Sequence, residues 1–121
     1  MKISKFLCLI VLSLTTANSV FAADIAKGKE LTEKHACTSC HGVDFNKTID
    51  MNTPKLAGQY PDYLYIALKS YQVKGNRIVG RENPVMSGMV GNLTLVDMQN
   101  ISAYVSQLPG TLKTISQPSF K

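Results

Sequence analysis

The chain has no tryptophan and an aromatic share of only 7%, so its own large side chains can fill only part of a core. It has no internal repeat and no low-complexity tract, which excludes a solenoid or a disordered spacer. Its 13 basic residues are scattered rather than clustered and face 8 acidic ones, so no dense basic patch exists and nucleic acid is excluded as a partner. No apolar run approaches the ~20 residues a membrane-spanning helix needs; the longest, "FLCLIVLSL", has nine. No segment alternates convincingly with the period of a strand, which leaves an all-α chain. With two histidines and three cysteines, any ligand chemistry must be built from very few side chains.

The short apolar run follows "MKISK" and ends in the small residues of "SVFAAD", the pattern of a cleaved export signal. Residues 1–22 are therefore expected to leave, with a cut after Ala22 or Ala23, and Cys8 leaves with them. Removing Lys2 and Lys5 lowers the formal charge of +5 by two, to +3. The 99 residues that remain suit one domain over 23–108 and a loosely held tail over 109–121, where Pro109, Gly110, Pro118 and several Ser/Thr residues gather. A domain of about 100 residues buries little more than 60% of its unfolded surface. A large apolar cofactor would supply the core that its side chains lack.

Three main helices are legible. The first is expected from Ile25 to Ala36 behind the N-cap Asp24, with Ile25, Gly28, Leu31 and His35 on one face. A glycine inside a helix costs about 1 kcal/mol relative to alanine, so Gly28 points to a close crossing. The second follows "QYPDYLYIALKSYQ", with Pro61 in the first turn, Leu64, Leu68 and Tyr71 as its apolar stripe, and Gly75 as its end. The third begins at Thr94, with Asp97 three residues on as in a capping box, and places Val96, Ile101, Tyr104, Val105 and Leu108 on one side before Pro109-Gly110 stops it. Two long loop-like stretches separate these helices and suggest something for the loops to wrap around. Met51 and Met98 read as core filler.

The chemistry lies in "HACTSCHG". A C-x-x-C can be a redox disulfide, part of a zinc knuckle or a covalent haem anchor. The redox motif wants a preceding strand, which is absent; zinc wants four well-separated ligands, and here two cysteines and two histidines crowd into seven residues. A structural disulfide would close a very small loop and constrain little. Each of these stays possible, and each leaves His41 without a role. Haem attachment uses the whole cluster: Cys37 and Cys40 lie on one side of a helical turn, where both can form thioethers to one porphyrin edge, and His41 offers a nitrogen to the iron.

Three blocks in series, "CTSCHG", "PKLAGQYPDYLYIALKSY" and "VMSGMVGNLTLVDMQNISAYVSQL", resemble the class I c-type cytochromes, most closely one haem domain of bacterial cytochrome c4 and its mono-haem relatives. The resemblance implies a small all-α class I cytochrome c fold, its three main helices and long loops wrapped around one covalently bound haem c. It implies Cys37, Cys40 and His41 as the attachment set, with His41 and Met86 as the iron ligands. Met86 is preferred over Met89 because it stands seven residues before Leu93. Pro54 would accept a hydrogen bond from the ligating imidazole, Leu56 and Gly58 would pack beside the haem, and Gly28 would cross the Ile101 and Tyr104 side of the last helix. The activity implied is that of a periplasmic one-electron carrier rather than an enzyme. It would have no small-molecule substrate and would meet redox proteins transiently, such as a membrane-bound oxidase or a quinol-oxidising complex. The alternatives are the haem subunit of a periplasmic oxidoreductase or an open-site haem sensor or peroxidase. His35 reads as a helix-face residue, the sequons at Asn46 and Asn92 carry no function, and the tyrosines at 60, 63, 65 and 71 read mostly as packing, with one able to bond a haem propionate.

Overall fold

A computed structural model describes residues 22–76 and 78–112. The expected leader up to residue 21 and the tail beyond residue 112 lie outside them. Five helices follow one another: α1 (Ile25–Lys34), α2 (Thr38–His41), α3 (Pro61–Gln72), α4 (Pro84–Val90) and α5 (Leu95–Gln107), with no strand among the described residues. α1, α3 and α5 are the three expected helices. The short α4 occupies a stretch read from the sequence as loop, whereas α2 is the helical turn expected around Cys37 and Cys40.

Asp24 caps α1 as expected, its carboxylate accepting from the Lys27 amide at 2.9 Å. The helix ends at Lys34, short of the expected Ala36, because Ala36 takes a left-handed φ of 51°. That kink, closed by the Ala36 amide on Glu33 O (3.0 Å) and the Cys37 amide on Thr32 O (2.9 Å), turns the chain straight into α2. α3 starts on Pro61 and stops at Gln72 instead of running on to Gly75. The side chain of that last residue reaches across to its neighbour. Gln72 Nε2 donates to Val90 O at 2.7 Å and to Leu93 O at 2.9 Å, tying α3 to the end of α4. α4 forms because Asn83 caps it, accepting from the Met86 amide at 3.0 Å, and Pro84 holds the first helical φ.

α5 carries the full capping box: Asp97 accepts from the Thr94 amide (3.0 Å) and hydroxyl (2.7 Å), and the Thr94 hydroxyl accepts from the Asp97 amide (3.1 Å). Those two bonds to the carboxylate, the hydroxyl's first, hold the Asp97 carboxyl below its usual range. Met98, Ile101 and Val105 point inward at i, i+3 and i+7, and Met98 is fully buried, the core filler expected of it. Val96, expected on the same side, is 50% exposed because two residues of helix rotate it about 200° from Met98. Met51, also expected in the core, is fully exposed.

α5 packs against both α1 and α3, and α3 packs against α4. The α1–α5 crossing is where Gly28 sits. A Cβ there would collide with the Asn100 carbonyl and stand 2.8 Å from Tyr104 Cβ. Asn100 also accepts the Asp24 amide at 2.8 Å through its side chain, so the start of α1 is pinned to the middle of α5. Asn46 reaches the beginning of the tail, donating to Pro109 O at 2.9 Å and accepting from the Thr111 amide at 3.3 Å.

Two consequences can be measured. Gly28→Ala forces backbone against backbone and should cost about 1–3 kcal/mol or more, lowering Tm by about 4–8 °C for each kcal/mol in a domain of this size. Because Asp97 is held low in the folded chain, its share of the cap is present above the unfolded pKa near 4 and is lost as pH falls through the folded value. Thr94→Ala should therefore cost about 0.5–2 kcal/mol at pH 7, and the gap between variant and parent should narrow at pH 3 in urea unfolding.

Candidate haem site

The helices leave a cavity of about 1140 Å³ between α3, α4, α5 and the loop after α2. This is somewhat above the range of ordinary ligand pockets, about 300 to 1,000 Å³. Its inner wall is apolar, with Leu64 and Leu68 from α3, Val90 from α4 and Ile101 and Val105 from α5. Its rim includes Ile49, Met51 and Val85, all more than half exposed. Such a wall suits a large flat hydrophobic group with one edge left toward solvent.

Cys37, Cys40 and His41 come together on one side of this cavity because α2 is a single turn. Neither cysteine is joined in a disulfide among the described residues, and both are half-buried. Cys37 packs against the core, and burial pushes its thiol above the usual value. Among the described residues no three His, Cys, Asp or Glu side chains converge as a metal site, which leaves the zinc reading without ligands.

His41 is buried, with 6% of its surface exposed, and its Nδ1 lies 2.9 Å from the carbonyl oxygen of Pro54. A carbonyl only accepts, so Nδ1 carries a proton, and in the neutral imidazole Nε2 is then the nitrogen with the lone pair. Gly42 follows with φ 82°, and a Cβ there would meet the Lys47 carbonyl, so the chain folds back sharply after the histidine. Phe45, 1% exposed, lies near-parallel to the imidazole at 6.5 Å and edge-on to Tyr104 at 6.4 Å. The Phe45 carbonyl accepts the amides of Leu56 (2.9 Å) and Ala57 (3.2 Å), which sets the Pro54–Ala57 strip beside His41.

The expected residues largely converge. Pro54, Leu56, Met86 and Met89 all line the cavity with the α2 cluster. Leu56 and Met86 are half-buried against the core, whereas Met89 is 36% exposed toward the rim. Met86 projects from α4 rather than from a loop, and its own amide bonds the Asn83 cap. Gly58 does not line the cavity as expected; with φ 74° it packs against Gly110, where the tail crosses. His35 stands at the cavity margin. Sequence reasoning passed over Phe45, Gln72 and Asn83. The first left only the faint signal of a lone aromatic in a polar loop. Asn83-Pro84 was a readable helix start.

The wall, the paired thiols and the oriented imidazole together fit haem c, and comparison with known proteins agrees. The family model for cytochrome c matches residues 25–109. Cytochrome c4 of Stutzerimonas stutzeri is 33% identical over 113 residues, covering 90% of this chain and 53% of that protein. Cytochrome c4 of Thiocapsa roseopersicina is 32% identical over 75 residues, covering 62% of this chain and 35% of its own. The chain thus spans about half the length, or less, of these curated relatives. Among solved structures, reduced recombinant cytochrome c4 from Pseudomonas stutzeri superposes with a TM-score of 0.64 at 34% identity, over 75% of this chain and 48% of that one. Acidithiobacillus ferrooxidans cytochrome c4 gives 0.57 at 26%, over 74% and 54%. With the α1–α5 crossing, the all-helical fold and the C-x-x-C-H turn in place, the chain belongs to the cytochrome c family, whose cofactor is covalently bound haem c.

Proposed function

We propose that this chain is an exported one-electron carrier whose haem c is held by thioethers from Cys37 and Cys40 and ligated by His41 and Met86. When bound, the haem iron supplies the one-electron couple. The observation that carries the reading is the orientation of His41: its Nδ1 is committed to Pro54 O at 2.9 Å, so Nε2 is the nitrogen left for a metal. Such a bond fixes the tautomer and ring plane and raises the basicity of the ligating nitrogen.

On the other side, α4 supports Met86. Asn83 caps the helix, Gln72 holds its last turn, and the half-buried methionine faces the same cavity as the imidazole. A thioether prefers the softer ferrous iron and raises the reduction potential. Were His41 and Met86 both to hold the iron, neither oxygen nor a substrate would find an open coordination site, which favours electron carriage over catalysis. The apolar wall keeps water from the centre and the rim leaves one edge approachable. Lys55, at the cavity edge and exposed, adds positive charge there, suited to brief, salt-sensitive docking on an acidic face of a redox partner such as a membrane-bound oxidase or quinol-oxidising complex. Among the described residues no helix is long and apolar enough to cross a membrane. The export signal read at residues 1–22 points to the periplasm.

The test is the absorption spectrum of the ferric protein made in cells with c-type haem maturation. A weak far-red band from sulfur on ferric iron is expected in the wild type, absent in Met86→Ala and retained in Met89→Ala. Loss in Met89→Ala with retention in Met86→Ala would move the ligand to Met89. A haem-loaded wild type without the band, able to bind carbon monoxide readily when reduced, would overturn the carrier reading in favour of an open-site protein.

A further inference from the structure

α4 is a weak helix that carries Met86. It has seven residues, well short of the length at which a helix stands alone in water. Gly88 sits inside it, and a Cβ there would meet nothing within 4 Å, so this glycine loosens the helix without serving a close approach. Pro84, Val85, Gly88 and Met89 are exposed, and α3 is the helix that α4 packs against. Propensity and packing therefore leave α4 at the low-stability end of the fold. Yet Met86, half-buried on this helix, lines the same cavity as His41.

Two amide side chains hold the ends of α4. At its start Asn83 accepts from the Met86 amide at 3.0 Å, a local cap on an exposed turn. At its end the tie is long-range. Gln72, half-buried on the last turn of α3, uses its Nε2 amide on two carbonyls, Val90 O at 2.7 Å and Leu93 O at 2.9 Å. The Leu93 amide also donates to Val90 O at 3.0 Å, which closes a compact link just after α4. Val90 and Leu93 are themselves buried, 2% and 6% exposed, so their carbonyls have little water to turn to if Gln72 is removed. Loss of that one side-chain amide unfastens α4 from α3.

We propose that Gln72 is a positioning residue for the second iron ligand: by fastening α4 to α3 it keeps Met86 at the iron and the site closed to small neutral ligands. This rests on the haem reading above and extends it to a residue that does not itself line the cavity. The apparent affinity for an external ligand scales with the fraction of molecules in which Met86 has left the iron. Gln72 lowers that fraction from outside α4, and Gly88 raises it from within.

The experiment titrates the haem-loaded, reduced protein with carbon monoxide and records the far-red sulfur band of the ferric form. Gln72→Leu and Gln72→Glu, neither with an N–H to give at pH 7, should bind carbon monoxide on the order of tenfold more tightly than the wild type, with a weakened sulfur band. Gly88→Ala should bind it about fivefold less tightly. Asp24→Ala, which removes the cap of the remote α1, should lower Tm and leave both readouts unchanged. Wild-type affinity and band in both Gln72 variants overturn the inference and leave the electron-carrier reading standing. An Asp24→Ala that gains as much affinity as they do also overturns it, since a general loss of stability would then account for the effect. Wild-type affinity in Gly88→Ala does the same, because the firmness of α4 would not be what excludes the ligand. A haem-loaded wild type without the sulfur band defeats the His41/Met86 reading instead, and the inference with it.

Discussion

The hydrogen bond between His41 Nδ1 and the Pro54 carbonyl joins the two halves of the site, and most of the surrounding architecture keeps it in place. Gly42 folds the chain back after the histidine, Phe45 packs beside the ring, and the Phe45 carbonyl anchors the strip that contains Pro54. Phe45 itself takes a left-handed φ of 54°, a conformation that costs a bulky side chain of order 1–3 kcal/mol and persists because its ring is buried and its carbonyl doubly bonded. Local backbone strain thus goes into orienting one imidazole.

The helices serve the same end from the outside. α5 is the common partner of α1 and α3, and the Gly28 crossing lets α1 approach it at backbone distance. The core these helices form is thin, as the shortage of aromatics implied. Dry void costs about 24 cal/mol per Å³, so even a quarter of the 1140 Å³ cavity would cost about 7 kcal/mol, comparable with the whole stability of a domain at about 5–15 kcal/mol. A large apolar group seated there would remove that cost, so a cofactor would add to the stability of the fold as well as supply its chemistry.

What could be read in advance follows from the range of the interactions involved. Helix caps, Pro61 at the start of α3, the capping box of Thr94 and Asp97, and the C-x-x-C-H turn are local, so a single sequence displays them. Gly28 was legible because a glycine in a helix asks for an explanation. The parts that were not legible are long-range. Gln72 ends α3 by bonding carbonyls 18 and 21 residues away, Gly58 answers to Gly110 rather than to the cavity, and Asn46 spans to Pro109. Nothing in the neighbourhood of those residues announces such partners. Val96 was misplaced for a different reason: an apolar residue near a helix start was assigned to the face by type rather than by angle.

Covalent attachment through Cys37 and Cys40 is the claim on which the site, its stability and its proposed activity all rest. Mass spectrometry of the protein matured in cells that make c-type haem tests it most directly, on the intact chain and on the tryptic peptide containing "HACTSCHGVDFNK". The account predicts an intact mass raised by one haem, the addition confined to that peptide, and neither thiol open to alkylation. An intact mass equal to the bare polypeptide, with both cysteines alkylated or joined to each other, would contradict it.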